Sequence, residues 1–385
     1  MKLFIKNIYS NAVQNIRGGL IASIFVMLVS VAMLSCDEDK FLDVYPLTQL
    51  SEGNFYNNLQ EMQQGVDDVY RHLGYLANAQ NVADLYGELF SDNTFIAFQL
   101  GGNPVDDPIS RHEILSSNGR ILNAWDESYN SIFICNNILE KIENTDIEIE
   151  QGLRSRWISE ALVVRSFAYF NLVRAFGAIP LVTSTISPSQ SYDFLRDDPA
   201  VVYEQLITDL TFAKNNLPEQ YSGENVGRIN RFGASAILAK IHLTMGNNSA
   251  AQTELEAIIN SGLFSLDANN DGMTNTDDFL HLFAPSTKNC KASVLEAQYL
   301  AGPNAFNSNH QFAYSPYHHA FNLSGINASF RGGGVNTPTE DLDQEFEEND
   351  PRKEVSIRPG YINQATGEFV SYPHTLKFYD PEWQN

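Results

Sequence analysis

The sequence predicts a mainly α-helical protein, and three observations support that fold class. Apolar residues recur at helical spacing in six stretches between residues 51 and 260. Gly246 and Asn247 separate the last two stretches by so short a turn that their helices must run antiparallel. After Leu266 the helical patterns fade, and glycine, asparagine, proline and aromatic residues become frequent. We therefore expect TPR-like stacked helical hairpins, followed by an irregular, loop-rich lobe that carries short strands.

The first 50 residues have the pattern of an export and anchoring segment. Basic residues precede an apolar run, Gly19–Leu34, of signal-peptide length. Ser35 then supplies the small residue of a lipoprotein cleavage site, and Cys36 supplies the thiol that receives lipid. We predict a signal peptide over residues 1–35 and a lipidated linker over residues 36–50. An uncleaved transmembrane anchor is the alternative.

A helical body is predicted over residues 51–284. Its first helix is expected to begin at Glu52, with Ser51 as its cap. Apolar residues of this helix and of the second step by three or four positions, which is typical of a helix face turned to a core. The first stripe is Phe55, Leu59, Met62, Val66, Val69 and Leu73, and the second is Ile121, Trp125, Ser128, Ile132, Cys135, Leu139 and Ile142.

The stretch from residue 157 to residue 183 organises the rest of the body. Its apolar residues predict a long third helix that is mostly buried, with Arg165 and Arg174 at more solvent-exposed positions. Gly177 suits a helix C-cap, and Pro180 prevents continuation. So much aromatic surface needs packing partners on more than one side, so other helices must surround this one.

Three further helices complete the body, over residues 196–218, 232–245 and around 255–259. The strict TPR consensus is absent, so this architecture depends on the pairing of the helices.

The lobe, residues 285–385, contains an extended run, Val294–Tyr299, and a stretch of rings interleaved with asparagine, serine and glycine. These rings are Phe306, Phe312, Tyr314, Tyr317, His318, His319, Phe321 and Phe330. Rings beside polar groups suit sugars, because a ring packs on a sugar's apolar face while polar side chains bond its hydroxyls. We expect most of these rings to fill the lobe's own core. Tyr314, Tyr317 and His318 are expected to be more exposed and are candidate ligand contacts.

The segment Asp267–Asp278 has the spacing of a calcium-binding loop. Oxygen-bearing side chains stand at its first, third, fifth, ninth and twelfth positions, and Gly272 stands at the sixth, where such a loop turns sharply. The predicted ligands are Asp267, Asn269, Asp271, the Met273 carbonyl, Asn275 and Asp278. Asp278 replaces the usual glutamate, and Thr274 replaces an apolar residue. A structural Ca²⁺ is one interpretation, and an Asx-rich surface turn is the other.

The composition and the absence of known catalytic motifs argue against nucleic-acid binding and against several classes of enzyme. The formal net charge of −23 repels phosphate backbones, so we expect no nucleic-acid partner. Apart from Cys36 there are two cysteines, Cys135 and Cys290, and Cys135 falls within a helical pattern that predicts a buried thiol. No serine-hydrolase, zinc-protease, P-loop or dinucleotide motif occurs, so no enzyme is predicted. A glycosidase-type carboxylate pair stays open, because the chain holds 47 acidic residues.

The third helix also carries a resemblance to a known family. The chain resembles the SusD/RagB family, and the residues of this stretch that carry the match are Glu160, Ala161, Arg165, Phe167, Ala168, Tyr169, Phe170, Leu172, Val173, Gly177, Pro180, Leu181 and Val182. Phe41–Asp43 and Asn349–Arg352 resemble further elements of the family. The family usually continues with more helices, so the resemblance implies a member shortened at its C-terminus.

The resemblance implies both a location and a site. Members are surface-exposed outer-membrane lipoproteins, and the acidic residues after Cys36 resemble a surface-export signal. Phe90, Asp92 and Asn93 resemble a family element in the loop between the first two helices, and that loop commonly helps to form the glycan-binding face. Asn93, Phe98 and Asn103 are therefore candidate ligand contacts.

The resemblance further implies capture of nutrients, usually glycans, for a TonB-dependent transporter of the SusC type. We accordingly predict a non-enzymatic, lipid-anchored glycan-binding protein of the outer-membrane surface that acts as a lid for that transporter. A lid for peptides and a TPR-type protein-interaction scaffold are the alternatives.

Overall fold

Helices dominate the computed structural model, which describes residues 55–78, 81, 85–96, 107–300, 306–314, 333–362, 366–375 and 377. The helices are α1 (Leu59–Ala77), α2 (Asp107–Ser110), α3 (Gly119–Asn144), α4 (Gln151–Phe176), α5 (Pro199–Asn216), α6 (Arg231–Thr244), α7 (Asn248–Asn260), α8 (Thr276–Phe283), α9 (His310–Tyr314), α10 (Glu340–Glu345) and α11 (Lys353–Ser356). A π-helical turn spans Leu85–Leu89, and 3-10 turns span Gln190–Asp193, Gly223–Asn225 and Pro285–Thr287.

Two short antiparallel strand pairs accompany the helices. Strand β1 (Thr94–Phe95) pairs with β2 (Thr337–Pro338), and β3 (Arg358–Ile362) pairs with β4 (Phe369–His374) across an irregularity between Arg358 and Gly360. Val294–Tyr299 forms no strand, although the sequence suggested an extended run there. All of these elements belong to one unit, Asn58–Asn385.

The long helices pack in a sequential stack. Helix α1 contacts α3 and α4, and each helix from α3 to α7 packs against the next along the chain. Gly246, at a φ of +76°, makes the turn between α6 and α7 that the sequence predicted. The expected fold class is confirmed: a mainly α-helical protein of TPR-like stacked helical hairpins, with an irregular part that carries short strands.

Helix α4 is buried on all sides in its middle and later turns. Trp157, Tyr169 and Phe170 are among the largest side chains that are almost completely buried. Gly177 ends the helix with a φ of +70°, and its N–H donates to the carbonyl of Val173. Ile179 then bridges to Asp197 in extended backbone. The predicted buried helix, glycine cap and extended exit are confirmed.

The prediction that Arg165 lies at a wet position is wrong. Its side chain is about 5% exposed, and its guanidinium donates to Asp209 Oδ2 of α5 at 2.7 Å. It also donates to Asn136 Oδ1 of α3 at 2.8 Å and to the carbonyl of Thr183 at 3.2 Å. A charge this deep is tolerated only with such partners, so Arg165 ties α4 to α3 and α5.

A second buried charge, Glu160, ties α4 to α1 and to the α5–α6 connection. Its carboxylate is fully buried and lies 3.2 Å from Arg228 and 3.6 Å from Arg156. Arg228 also pairs with Asp67 of α1. Burial raises the pKa of Glu160, and the positive charges of the two arginines oppose that rise.

The predicted start of the first helix at Glu52 is wrong, because α1 begins at Leu59. The side chain of Asn58 caps it by accepting the Glu61 N–H at 3.0 Å, and Glu61 Oε1 accepts from the Asn58 amide at 2.8 Å. Ser51 and Glu52 lie outside the described residues, as do the predicted signal peptide and Cys36. In the described part of the chain, no helix is both long enough and apolar enough to cross a membrane.

Cys135 is a fully buried free thiol, as the sequence predicted, and Cys290 is also free and partly exposed. Burial raises the pKa of Cys135 to about 12, so this thiol is unreactive at neutral pH.

Replacing Asp209 with leucine tests whether the buried ion pair holds the stack together. Arg165 would keep its charge in the core without a counter-charge, so we expect the free energy of unfolding to fall by about 3–5 kcal/mol. Urea denaturation measures this change. Glu219→Leu is the control, because Glu219 pairs with Arg231 at the surface. We expect this change to lower the free energy of unfolding by less than about 1 kcal/mol. Equal losses in the two variants would contradict the role of the buried pair.

Candidate functional site

Strands β1 and β2 join two segments that are distant in sequence. Thr94 pairs with Pro338 and Phe95 with Thr337. The N–H of Thr339 donates to the carbonyl of Asn93 at 2.9 Å, and its hydroxyl donates to the same oxygen at 3.0 Å. The loop after the π-helical turn is therefore fixed to the chain just before α10.

A small buried apolar cluster packs beside the β1–β2 strand pair. Its buried members are Leu89 of the π-helical turn, Ile109 of α2, Ala124 of α3 and Val335, which precedes β2. Ile96, Ile114 and Ala175 pack against the cluster. Because α3 and α4 contribute to it, the strand pair is anchored directly on the helical body.

The outer face of this junction carries exposed rings beside polar groups. We call it the β1–β2 surface and define it by Phe90, Asp92, Asn93, Phe95 and His112. Phe95 is 41% exposed and Phe90 is 37% exposed, and the other three residues are also exposed. Sugar recognition uses this combination, since rings contact the apolar sugar face and the amide, imidazole and carboxylate groups bond hydroxyls.

His112 fixes the orientation of Phe90. Its backbone has a φ of +58°, and its Nε2–H donates to the carbonyl of Phe90 at 2.8 Å. The two rings meet edge to face, with centroids 4.5 Å apart. Phe90 is therefore held in place on the surface by a neighbour from the α2–α3 connection.

The rings of the lobe form a separate, inward-facing cluster. Tyr299 stacks on Phe306 at 5.4 Å, and Phe306 meets Tyr75 of α1 edge to face at 4.9 Å. His310 packs edge to face against Tyr314 at 5.6 Å. Burial lowers the pKa of His310 to about 4, so its imidazole is neutral at pH 7. The cluster joins the lobe to α1.

The expectation that Tyr314 is exposed is wrong, since its side chain is only 6% exposed. The single turn of α9 packs the Tyr314 ring against His310 instead of presenting it to solvent. Of the other predicted ligand contacts, Asn93 is exposed on the β1–β2 surface. Phe98, Asn103, Tyr317 and His318 lie outside the described residues.

The segment just before β2 nevertheless lies between the regions of Asn93 and Tyr314, because it contacts α9 and continues into the strand that pairs with β1. The N–H of Val335 donates to the carbonyl of Ala313 at 2.9 Å. Gly333 lies so close that a Cβ atom there would be 2.9 Å from the Ala313 oxygen. Strand β2 thus links α9 on one side to the β1–β2 surface on the other.

Sequence reasoning missed His112 and the segment Gly333–Thr339. One signal was available for the segment, because Thr339 precedes a run of acidic residues and caps α10 by accepting the Leu342 N–H at 3.2 Å. No local signal pairs that segment with Asn93, because Thr339 lies 246 positions further along the chain.

The loop Asp267–Asp278 is closed by its own backbone amides. The carboxylate of Asp267 accepts from the N–H groups of Asp271 and Gly272, both at 3.0 Å. Asp278 accepts from Asn269 at 3.1 Å and from Asn275 at 2.9 Å, and these bonds lower its pKa. Within the described residues no three acidic, histidine or cysteine side chains are arranged to hold a metal ion. Calcium binding by this loop stays a prediction.

Comparison with known proteins adds an independent observation. The sequence profile of a SusD-like family, described as "Starch-binding associating with outer membrane", matches residues 40–243. That range contains α1 to α5, all of α6 except Thr244, and all five residues of the β1–β2 surface.

Individual proteins are similar over most of the chain. SusD-like protein P25 of Formosa agariphila is 22% identical over 393 residues, which cover 94% of this chain and 72% of that protein. A solved "Laminarin binding SusD-like protein" has a TM-score of 0.66 and 24% identity, covering 84% of this chain and 72% of that one. Surface glycan-binding protein A from Bacteroides thetaiotaomicron, solved with laminarihexaose, has a TM-score of 0.68 and 17% identity, covering 84% of this chain and 71% of that one.

Replacing Gly74 with alanine tests the attachment of the lobe to α1. The new Cβ would lie 2.2 Å from Cε1 of Phe306, so the ring must move and the cluster must open. We expect the free energy of unfolding to fall by about 1–3 kcal/mol in a urea titration. Gly119→Ala is the matched control, because nothing lies within 4 Å of its Cβ position. A Gly74→Ala variant as stable as the control would contradict the packing.

A calorimetric titration with CaCl₂ tests the loop Asp267–Asp278. We expect saturable binding at one site and at least a tenfold loss of affinity in Asp271→Asn, because that change removes a charged ligand. Asp277→Asn is the control, since Asp277 is exposed in the same segment and outside the predicted ligand set. Absence of binding, or equal weakening in both variants, would identify the loop as a plain surface turn.

Proposed function

Because the chain belongs to the SusD-like family, described as starch-binding and associating with the outer membrane, we propose that it is a cell-surface glycan-binding lipoprotein. It captures oligosaccharide and serves as the lid of a SusC-type TonB-dependent transporter. The observation that carries the glycan part is the β1–β2 surface, where exposed Phe90 and Phe95 flank Asn93 and Asp92.

Glucan oligosaccharides are the ligand class that we propose. One structurally similar protein is named for laminarin binding, and another was solved with laminarihexaose. Asn93 directly precedes β1 and Phe95 ends it, and both side chains are exposed while that of Thr94 between them is buried. A sugar ring stacked on Phe95 therefore lies on the same side of the chain as the Asn93 amide. Each ring contact contributes on the order of 0.5–1.5 kcal/mol, which favours modest affinity and ready release.

The anchor in this proposal is Cys36, which receives lipid after the signal peptide is cleaved. Acyl chains on one cysteine hold a protein at a membrane surface without a spanning helix. The stacked helices provide a rigid body for docking on the transporter, while the β1–β2 surface stays open to the ligand. No catalytic step enters this scheme.

A calorimetric panel of laminarihexaose, maltohexaose and an unrelated hexapeptide tests the proposal. We expect one of the two glucans to bind and the peptide to give no heat. Phe95→Ala should weaken glucan binding by about two- to tenfold, because the stacking ring is lost. Asn93→Ala should weaken it less, since one polar contact is removed.

Tyr192→Ala is the matched control for Phe95→Ala. Tyr192 is 88% exposed on the 3-10 turn between α4 and α5, outside the β1–β2 surface, so its loss should leave glucan binding unchanged. Binding of the peptide alone would contradict the glycan proposal. Glucan binding that survives Phe95→Ala would place the glycan elsewhere on the molecule.

A further inference from the structure

A pocket of about 440 Å³ lies between the helical body and the first part of the lobe, and it shares no lining residue with the β1–β2 surface. Its walls come from α1, α4, α6, α8 and the segment Ala292–Ala297, and they are mostly apolar. The apolar lining includes Leu73, Phe167, Ile237, Leu282 and Leu295. This volume lies within the range of about 300–1,000 Å³ that is typical of small-molecule sites.

One buried polar side chain of α4 positions a cation at the pocket wall. Asn171 of α4 is 1% exposed, and its Oδ1 accepts from Arg174 Nη2 at 3.0 Å. Its buried Nδ2 has no acceptor among the described residues. Since almost no surface of Asn171 opens to the cavity, its contribution is to hold the Arg174 guanidinium at the pocket wall through Oδ1.

Two cations stand among the lining residues of the same pocket. The Arg174 guanidinium lies over the ring of Phe170, 4.3 Å from its centroid, and Lys240 projects from α6. Both side chains are exposed, and neither forms an ion pair within the described part of the chain. The pocket wall contains no acidic residue, in a protein whose net charge is −23. Its local charge therefore favours an anion.

We propose that this pocket binds a monocarboxylate with an apolar body, of which a medium-chain fatty acid is the simplest example. The alkyl chain fills the apolar part between α1, α4 and α8. The carboxylate lies at the rim, where the Arg174 guanidinium and the Lys240 ammonium group donate to its oxygens. Asn171 and Arg174 are three positions apart on α4, so Asn171 Oδ1 holds the Arg174 guanidinium on that face of the helix.

This site is independent of the proposed glycan function. None of its lining residues belongs to the β1–β2 surface, and its chemistry is unsuited to sugars, because most of its wall is aliphatic. If no glucan binds, the pocket proposal still stands. If no carboxylate binds in the pocket, the glycan proposal still stands.

Calorimetry with decanoate, 1-decanol and butyrate tests the proposal on the whole chain, at concentrations below decanoate micelle formation. We expect decanoate to bind at one site. Decanol lacks the charge and butyrate lacks the chain, so each should bind at least tenfold more weakly. The double variant Arg174→Gln/Lys240→Gln should weaken decanoate binding at least tenfold.

Arg111→Gln is the matched control, since Arg111 is an exposed arginine outside the pocket. Circular dichroism checks that each variant keeps its helix content. Lys240→Gln alone, at an exposed position, should bind decanoate several-fold more weakly, and it provides the test if the double variant loses helix content. The proposal is overturned by absence of saturable decanoate binding, by equal binding of decanol, or by wild-type affinity in the charge variants.

Discussion

Two ionised side chains buried in α4 impose the constraint on which the arrangement of helices depends. Arg165 and Glu160 are both almost completely removed from water, and each would be strongly unfavourable without partners. The partners come from other elements: Asp209 from α5, Asn136 from α3, and Arg228 from the α5–α6 connection. Apolar packing around α4 tolerates small shifts, whereas these bonds do not. The buried charges therefore select one register of the stack.

The last turns of α4 connect this core to both proposed binding regions. Ala175 packs on the apolar cluster that supports β1 and β2, while Asn171 and Arg174 line the pocket between α1 and α6. Helix α4 thus supports the β1–β2 surface and also forms part of the wall of the apolar pocket. Since α4 is fixed by its buried charges, both regions are held by the same scaffold, which limits the ordering that a ligand must impose.

Most of the helical body could be predicted from the sequence, because α3 to α7 combine strong periodicity with clear caps such as Gly177 and Gly246. Arg165 was misplaced because a charged residue in a helical pattern ordinarily marks the wet face, and its partner Asp209 lies 44 positions away. The start of α1 was placed too early because the apolar stripe continues back to Phe55, whereas Asn58 makes the actual cap. Helical spacing alone does not reveal which of several possible caps is used.

The candidate site was less predictable, since it depends on contacts between distant segments. Asn93 was found through a resemblance, but the pairing of two-residue strands β1 and β2 has no local signature. Tyr314 was expected at the surface, yet a single helical turn buries it against His310. Hydrogen exchange followed by mass spectrometry tests the central claim most directly. The amides of α4 between residues 157 and 173 should exchange only by global unfolding and be the slowest in the chain; exchange there as fast as in the connection 261–275 would contradict the account.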